Sequence, residues 1–426
     1  MDWFGRARIS FTHAAEPVSL TKKDGTRTNL LEVCKKATPP CQLNPLLFNG
    51  HLQTMWTAVK EEGPRIYYRR RIFDADHKTY TGSFAVDFVV DQHPDTDETL
   101  PPRTAYFSED AFSKIGSDDD KPMLIVLHGL SGGSYEIYLR HAIAPLVLNG
   151  GGWEACVVNA RGCANSEVTS GVLFNARATW DVRQVVKWAK QTFPNRPLFA
   201  LGFSLGGNIL TNYVGEEGEH CLLKGAISVG NPFDLELSNK ALQRSLIGHH
   251  VYQRVMGGNM KRLISLHKEA VLKHTELDFD RIQNVTYLYE FDREVQTVSW
   301  GYPTENAYYR DASSSDAVLA IRIPFLAIAA EDDPIAVREA LPYGEFQHNP
   351  YTVLCTTSLG GHLSWFEIGG GRWHARPITN FLQAMVKEID LSAVKPPPSS
   401  LNGTASGVEV KTKFDPVRRK LQILSD

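Results

Sequence analysis

The middle of the chain alternates between two hydrophobic patterns. Short, continuous apolar runs are typical of strands buried on both faces of a sheet, and they occupy 123–129, 153–162, 197–203, 224–230, 323–330 and 352–357. Apolar residues at helical spacing occupy 135–148, 178–193, 205–215 and 377–389. Because strands that alternate with helices form parallel sheets covered on both faces, the pattern predicts an α/β fold with a mostly parallel central sheet.

Two earlier stretches, 65–73 and 84–91, are rich in aromatic and β-branched residues and are predicted to be strands. The segment that follows, 91–121, is polar and acidic and is predicted to be an exposed loop. Residues from about 231 to 320 are helical in pattern and carry no clear strand. An insertion at this place would cover the carboxyl ends of the strands, where ligands bind in such sheets, so we expect a helical lid.

The two ends of the chain differ from this central part. Residues 1–60 are mixed and polar, and we expect an N-terminal extension that wraps the surface of a domain spanning 61–392. Residues 393–426 include a stretch rich in Pro, Ser and Gly and are expected to be disordered. The first residues lack the apolar core of a signal peptide, and no stretch reaches the roughly 18 apolar residues of a membrane-spanning helix. These features favour a cytoplasmic protein, either free or attached peripherally to a membrane.

Composition narrows the choice of partners. With 42% hydrophobic and 22% charged residues the chain has an ordinary globular composition, and a formal net charge of −3 gives no reason to expect nucleic acid as a partner. None of the six cysteines forms a C-x-x-C pair, so neither a zinc site nor a redox pair is predicted. We expect buried thiols in a reducing compartment, and no metal.

Gly202 to Gly206 (GFSLG) fit the motif G-x-S-x-G between a predicted strand and a predicted helix. A serine at such a junction occupies a strained turn that exposes its hydroxyl group, and the flanking glycines avoid steric clashes. Ser204 is therefore predicted to be the nucleophile of an α/β-hydrolase fold. In this fold two backbone N–H groups bind the oxyanion, one after the nucleophile and one after an earlier strand; these are expected from Leu205 and Leu130.

A serine nucleophile needs a base, and the base needs a carboxylate that orients it. The order Ser, acid, His of this fold leads to the acids after the run 323–330 and to His362 after the run 352–357. Asp332 and Asp333 compete for the orienting role. We prefer Asp333, which directly precedes a proline, and expect Asp332 to cap the following helix.

The other histidines are given different roles. His128 is expected to support the oxyanion loop, and His51 is expected to be structural. The histidines of the insertion are not spaced as metal ligands usually are, so no metal site is predicted from them. They are His249, His250, His267 and His274. The insertion also carries an aromatic set, of which some members are expected to line an acyl-binding pocket: Tyr287, Tyr289, Phe291, Trp300, Tyr302, Tyr308 and Tyr309.

Further blocks of sequence resemble one family. In chain order they read NGHLQT, LHGLSGGS, NARGC, GFSLGGN, NPFDL, AYYRDAS, EDDP and GGHLSWFE. The chain resembles the α/β-hydrolases that include fungal medium-chain fatty acid ethyl ester synthases/esterases and monoacylglycerol lipases, with animal phospholipase-like and bacterial relatives. The resemblance implies a Ser–Asp–His triad that forms an acyl-enzyme and passes the acyl group to an alcohol or water. The acidic segment at 91–121 and the Pro-rich tail match no part of this pattern.

The resulting hypothesis is a serine-dependent carboxylester hydrolase or alcohol O-acyltransferase that acts on medium-chain acyl esters. It needs no cofactor, with acyl-CoA as an alternative acyl donor. Its partners would be a small-molecule ester, an alcohol or water, and, if the protein is membrane-peripheral, a membrane or lipid-droplet surface. Two alternatives stay open: a tailoring acyltransferase, esterase or thioesterase of a specialised-metabolite pathway, and a non-catalytic binding protein with the same fold.

Overall fold

The computed structural model describes residues 3–59, 62–95, 97–148, 150–394 and 414–420. Its strands are β1 (Arg6–Ala7), β2 (Ile9–His13), β3 (Ser19–Thr21), β4 (Arg27–Asn29), β5 (Cys41–Gln42), β6 (Tyr67–Asp74), β7 (Ser83–Val90), β8 (Thr104–Tyr106), β9 (Met123–Leu127), β10 (Glu154–Val158), β11 (Leu198–Phe203), β12 (Gly225–Val229), β13 (Phe325–Ala330) and β14 (Thr352–Thr357). Its α-helices are α1 (Leu30–Ala37), α2 (Gly50–Trp56), α3 (Glu109–Ser113), α4 (Ile137–Val147), α5 (Thr179–Thr192), α6 (Leu205–Glu217), α7 (Leu235–Arg244), α8 (Arg254–Leu266), α9 (Lys268–His274), α10 (Phe279–Gln283), α11 (Leu288–Trp300), α12 (Glu305–Ala312), α13 (Tyr343–His348) and α14 (Ala375–Glu388).

A ten-stranded sheet forms the centre, in the order β2-β14-β13-β12-β11-β9-β10-β7-β6-β8. The strands from β14 to β10 are parallel to one another. Only towards the edges does the direction reverse, where β2 pairs antiparallel with β14 and β7 pairs antiparallel with β10. The predicted fold class, an α/β fold with a mostly parallel central sheet, is confirmed.

Both faces of the sheet are covered by helices. Successive residues of a strand point to opposite faces; in β9, Leu124 and Val126 pack in a core that includes residues of α1, α4 and α14, whereas Ile125 and Leu127 pack in a core that includes residues of α5 and α6. All four side chains are buried. Burial of a Leu, Val or Ile side chain contributes roughly 1.5–3 kcal/mol to stability, so the strands form a rigid support for the loops at their carboxyl ends.

The N-terminal segment is more closely integrated than a surface extension would be. β2 pairs with β14, with Phe11 opposite Cys355, and α1 buries Leu30, Leu31, Val33 and Cys34 in the sheet's core. The reason is that β14 would otherwise be an exposed edge strand, which proteins commonly cover. Where the chain divides into domains stays a prediction.

The acidic segment 91–121 is also more structured than the exposed loop expected from its composition. Within it, β8 pairs in parallel with β6 at the edge of the sheet, and Ser108 caps the short helix α3. Phe107 and Phe112 pack against the core beside Trp188. Leu100, Thr104 and Ala105 are buried as well, so apolar contacts anchor this segment to the edge of the sheet.

The insertion between β12 and β13 consists of helices α7 to α12, a π-helical turn at Gly248–Gln253 and a short 3-10 helix at Asp316–Ala320. The structure describes this whole stretch, and no strand occurs in it. Many of its apolar residues, including Met260, Ile264 and Phe291, form a separate cluster. The same cluster includes Val168, Leu173 and Phe174, so the insertion shares this core with the segment that precedes α5.

Most of the tail, 395–413 and 421–426, lies outside the described residues, and the prediction of disorder for 393–426 falls largely there. Within the described residues 414–420, Arg419 forms an ion pair with Glu216 of α6 at 3.1 Å. Its guanidinium group also donates to the hydroxyl group of Thr179 at the start of α5 at 3.0 Å. In the part of the chain described here, no helix is both long and apolar enough to cross a bilayer.

Candidate active site

Ser204 lies at the junction between β11 and α6. Its backbone has φ 50° and ψ −119°, a conformation that is strained for a residue with a side chain and that tends to persist at functional sites. Two residues later, a Cβ atom at Gly206 would lie 2.5 Å from the carbonyl oxygen of His128, so only glycine fits where the helix passes the end of β9. The motif G-x-S-x-G thus follows from the sharp turn that presents the hydroxyl group.

A chain of hydrogen bonds connects Ser204, His362 and Asp333. The Nε2 atom of His362 lies 2.8 Å from Ser204 Oγ, and its Nδ1 atom lies 2.8 Å from Asp333 Oδ2. A carboxylate only accepts hydrogen bonds, so Nδ1 carries the ring proton and Nε2 is free to accept the proton of the serine. The three side chains follow β11, β13 and β14, parallel strands of one sheet whose carboxyl ends lie at the same edge.

The two adjacent acids have distinct contacts. Asp333 accepts from His362 and, through Oδ1, from the backbone N–H groups of Ile335 and Ala336 at 2.8 and 2.9 Å. Asp332 instead accepts from the backbone N–H of Gly361 at 3.0 Å. The expectation that Asp332 caps the segment after the proline is wrong, because one carboxylate of Asp333 has enough acceptor sites for both the ring and the backbone.

Asp332 is partly desolvated, which affects its ionisation. Burial raises the pKa of Asp332 to about 6, and the hydrogen bond from Gly361 only partly offsets this. The nearby helix α2 contributes to the burial, since a Cβ atom at Gly50 would lie 1.8 Å from the carbonyl oxygen of Asp332. Asp332 therefore supports the loop that carries His362 rather than the ring itself.

The two N–H groups expected to bind the oxyanion are available for it. Neither the backbone N–H of Leu130 nor that of Leu205 donates a hydrogen bond to any residue that the structure describes. Both residues line one cavity together with Ser204. A hydrogen bond holds the loop that carries Leu130 in place, because the backbone N–H of Gly129 donates to the hydroxyl group of Tyr138 at 2.8 Å.

His128 supports the same loop through both of its ring nitrogens. Nδ1 lies 2.6 Å from the carbonyl oxygen of Gly129, and Nε2 lies 3.0 Å from the backbone nitrogen of Ala160. Burial lowers the pKa of His128 to about 4, so the ring is neutral at pH 7, with Nδ1 as donor and Nε2 as acceptor. This geometry fits the supporting role expected from the sequence.

Sequence reasoning missed the contribution of the segment around α2. The hydroxyl group of Thr54 accepts a hydrogen bond from the backbone N–H of His362 at 2.9 Å. His51, expected to be structural, stacks on Tyr252 of the insertion and lies 3.0 Å from its hydroxyl group through Nδ1. The block NGHLQT, which contains Thr54, stood out in the sequence as part of the family resemblance. Its local pattern does not indicate a contact with a residue 308 positions later in the chain.

A cavity lies beside Ser204 and opens to solvent; the space within it, counted together with its open mouth, is about 670 Å³. Most of its walls are apolar: Leu130, Phe174, Ala176, Leu205, Pro232, Leu235, Leu242, Met256, Leu288 and Ile335. Of the seven aromatic residues singled out in the insertion, Tyr308 and Tyr309 line this cavity, and Phe291 lines a neighbouring one. Tyr287 stacks on His249 instead.

No group of three or more His, Cys, Asp or Glu side chains within the described ranges is arranged to hold a metal ion. His267 is engaged with the carbonyl oxygen of Gly162 at 2.8 Å, and the rings of His249 and His250 pack edge to face. The six cysteines are unpaired, and all but Cys221 are buried.

Comparison with known proteins agrees with this geometry. Residues 122–367, more than half of the chain, match the family described as alpha/beta hydrolase fold. The chain belongs to the α/β-hydrolase family. The family resemblance inferred from the sequence blocks is thereby confirmed.

Curated α/β-hydrolase relatives match over most of their lengths. The monoacylglycerol lipase of Saccharomyces cerevisiae is 37% identical over 380 residues, which cover 82% of this chain and 82% of that protein. Medium-chain fatty acid ethyl ester synthase/esterase 2 of the same yeast is 30% identical over 384 residues, covering 80% and 84%. Phospholipase ABHD3 of Homo sapiens is 27% identical over 288 residues, covering 66% and 68%.

Proposed function

We propose that this α/β-hydrolase is a lipase or esterase that works through a covalent acyl-enzyme on Ser204, with medium-chain acyl esters as substrates. As a member of its family the chain is a serine hydrolase. The observation that carries the proposal is the position of His362, at 2.8 Å from both Ser204 Oγ and Asp333 Oδ2. This is the arrangement that lets one imidazole ring accept the proton of a serine while a carboxylate orients it.

In the first half-reaction, Ser204 Oγ attacks the ester carbonyl carbon and His362 Nε2 takes the hydroxyl proton. Asp333 stabilises the imidazolium ion, and the N–H groups of Leu130 and Leu205 bind the oxyanion of the tetrahedral intermediate. The intermediate collapses when the ester C–O bond breaks, and His362 gives its proton to the departing alcohol. The acyl group is then bound to Ser204 as an ester.

In the second half-reaction, His362 deprotonates an acceptor whose oxygen attacks the carbonyl carbon of the acyl-enzyme. The bond between that carbon and Ser204 Oγ then breaks, and His362 returns the proton to Ser204. Water as acceptor yields a carboxylic acid, whereas an alcohol yields a new ester, so hydrolysis and acyl transfer share every protein group. Acyl-CoA would enter as a donor through the same acyl-enzyme. The relatives' names include both hydrolysis and ester synthesis, since one is called a lipase and another an ester synthase/esterase.

Contact with a lipid surface is part of the proposal. Residues 44–59 and 245–253 contain no Asp, Glu, Lys or Arg, and they meet where His51 stacks on Tyr252. Both expose large apolar side chains, among them Leu46, Phe48, Trp56, Leu246 and Ile247. Exposed apolar groups concentrated beside a site are typical of interaction surfaces, and an uncharged one suits the apolar interior of a membrane or lipid droplet.

The proposed function is tested with esters of graded acyl chain length, incubated with and without ethanol or glycerol and followed by product analysis. We expect release of free acid from medium-chain esters, and new ethyl or glyceryl esters when the alcohol is present. A protein that turns over no ester under any of these conditions would contradict the proposal and favour the non-catalytic alternative. Turnover of thioesters or of one specialised ester alone would favour the tailoring-enzyme alternative.

A further inference from the structure

Arg419 lies against two helices, α5 and α6, that cover one face of the central sheet. Its guanidinium group donates to the carbonyl oxygen of Arg177 at 2.8 Å and to the hydroxyl group of Thr179 at 3.0 Å. It also forms the ion pair with Glu216 and lies over the ring of Trp180, 5.7 Å from the ring centre. These contacts attach the last described residues of the chain to the start of α5 and the end of α6.

The same stretch of chain also contacts helix α12 of the insertion. The backbone N–H of Lys420 donates to Asp311 Oδ1 at 2.7 Å. Arg177 joins the two sides, because its guanidinium group donates to the carbonyl oxygens of Val417 at 2.9 Å and of Asp311 at 2.6 Å. Residues 417–420, which we call the Arg419 segment, therefore bridge the insertion and the helices that cover the sheet.

The Arg419 segment contributes a charge that this junction needs. The carboxylate of Glu216 is largely buried and forms ion pairs with Arg177 at 3.3 Å and with Arg183 at 2.8 Å, besides the one with Arg419. Burial by itself raises the pKa of Glu216, but the surrounding charges and hydrogen bonds, with the charge of Arg419 as the largest lowering contribution, bring this pKa below its ordinary value. A buried carboxylate is stable only when it is paired in this way, so loss of Arg419 should weaken the junction.

Helix α12 connects the Arg419 segment to the cavity at Ser204. Tyr308 and Tyr309 line this cavity, and Asp311, which accepts the hydrogen bond from Lys420, follows them on the same helix. Two asparagine side chains of α6 also donate to the carbonyl oxygen of the last residue of α12, at 2.8 and 3.0 Å. Release of the segment is therefore expected to shift α12 rather than to detach it.

We propose that the Arg419 segment determines chain-length specificity: it holds α12, and with it the cavity wall formed by the two tyrosines, at the position that sets which acyl chains fit beside the nucleophile. The inference rests on the proposed esterase function and adds a distant element that controls its substrate range. Arg419 and Lys420 are positioning residues, because they act through α12 and are not among the residues that line the cavity. One methylene group in an apolar pocket changes discrimination between substrates by about 10–200-fold, so a small shift of this wall is measurable.

Two substitutions release the segment at different points. Arg419→Ala removes the side-chain contacts with α5 and α6, and Lys420→Pro removes the backbone N–H that binds Asp311. Each should lower the ratio of kcat/KM for medium-chain esters to kcat/KM for long-chain esters by about tenfold, because a displaced wall leaves space for roughly one more methylene group. The kcat for a short-chain ester, which needs less of the cavity, should stay unchanged.

Arg418→Ala is the matched control. Arg418 is the adjacent arginine, but it is exposed and forms no ion pair with any residue in the described part of the chain, so this variant should match the wild type. Arg419→Lys should give an intermediate ratio, since an ammonium group keeps the charge beside Glu216 but cannot reproduce the planar set of hydrogen bonds.

Hydrogen–deuterium exchange followed by mass spectrometry measures the docking itself and requires no activity. In the wild type we expect the peptide that contains residues 414–420 to exchange more slowly than the same synthetic peptide free in solution, because its docked N–H groups exchange only through local opening. The corresponding peptide of Arg419→Ala should exchange faster than that of the wild type, and the peptide of Arg418→Ala should not.

Faster exchange in Arg419→Ala together with a lower chain-length ratio would support the proposal. Faster exchange with an unchanged ratio, an equal loss on esters of all lengths, or the same change of ratio in Arg418→Ala would overturn it. Wild-type exchange as fast as that of the free peptide would overturn the docking itself. These results all leave the esterase function standing, whereas a wild-type protein inactive on every ester would contradict the proposed function and the specificity role with it. If Arg419→Ala does not fold, Lys420→Pro and Arg419→Lys decide.

Discussion

The carboxyl edge of the central sheet and the helical insertion between β12 and β13 are built on different principles. At the sheet edge, each candidate catalytic residue lies in the connection that follows a buried parallel strand, and backbone hydrogen bonds hold the loops of Asp333 and His362 in place. In the insertion, helices α7, α8, α11 and α12 and the π-helical turn line one side of the cavity at Ser204. From this comparison we expect the sheet edge to position the reaction and the insertion to select the substrate.

The packing of the two regions is consistent with this expected difference in their roles. The strands of the sheet are buried on both faces, so a shift of the sheet edge would disrupt the packing of a whole core. The insertion packs in two smaller clusters that it shares with residues 168–176, and its contact with the N-terminal segment includes the ring pair His51 and Tyr252. Substitutions at the sheet edge should therefore change the rate, and substitutions in the insertion should change the choice of substrate.

The largest effect is expected for Ser204→Ala. The variant should lose at least about 10³-fold in kcat on every ester, because it lacks the nucleophile, while its thermal unfolding stays close to that of the wild type. Ser228→Ala is a matched control, since Ser228 is a buried serine of the neighbouring strand β12 and should retain activity. If Ser204→Ala kept more than a few per cent of wild-type kcat, another nucleophile would be at work.

Asp333→Asn should follow with a fall in kcat of about 10⁴-fold, since an amide group favours the wrong tautomer of His362. Asp332→Asn is the paired test, with no direct contact to the ring and an expected kcat within a few-fold of the wild type. The kinetics of the two variants on one ester are sufficient. The reverse ranking would transfer the orienting role to Asp332 and contradict the geometry described here.

A cavity-narrowing change in the insertion should have a more selective effect. Met256→Trp fills part of the space beside Ser204, and we expect kcat/KM for long-chain esters to fall about tenfold relative to short-chain esters. Leu272→Trp, at an exposed position of α9, serves as control. A uniform loss across all chain lengths, or a change in thermal stability alone, would show that the insertion does not act as the proposed lid over the acyl site.

The smallest effect concerns stability and pH. The pKa of Asp332 is raised to about 6 by burial, above the value near 3.9 of an unfolded chain, so the native state binds this proton more tightly. The resulting stabilisation is present below about pH 4 and is lost as the pH rises through about 6, at most about 3 kcal/mol. Asp332→Asn keeps an acceptor for Gly361, and its free energy of unfolding should fall less between about pH 4 and pH 8. An identical pH dependence in urea unfolding would contradict this.

The sequence predicted what regular local structure determines. The strands from β9 to β14 and the helices α4, α5, α6 and α14 have apolar patterns long enough to be recognised. Strand ends followed by Ser204, Asp333 and His362 then located the three side chains, because the carboxyl ends of parallel strands lie at one edge. The chain order Ser, acid, His was thus enough to predict that Ser204 and His362, 158 positions apart, lie in contact.

The parts that were missed depend on contacts between distant segments. β2 is five residues long and β8 three, too short for a period-two pattern to stand out, and each exists because the sheet offers it an open edge. Thr54 reaches the backbone of His362 only through the docking of α2. Likewise, the roles of Asp332 and Asp333 depend on the path of their loop, which two adjacent aspartates in a sequence do not reveal.

The most direct test of the account is covalent labelling with a fluorophosphonate probe, followed by peptide mapping with mass spectrometry. The account predicts one adduct on Ser204, with labelling abolished in Ser204→Ala and strongly slowed in Asp333→Asn. An adduct on a different residue, or undiminished labelling of Ser204→Ala, would contradict the assignment of Ser204 as the nucleophile.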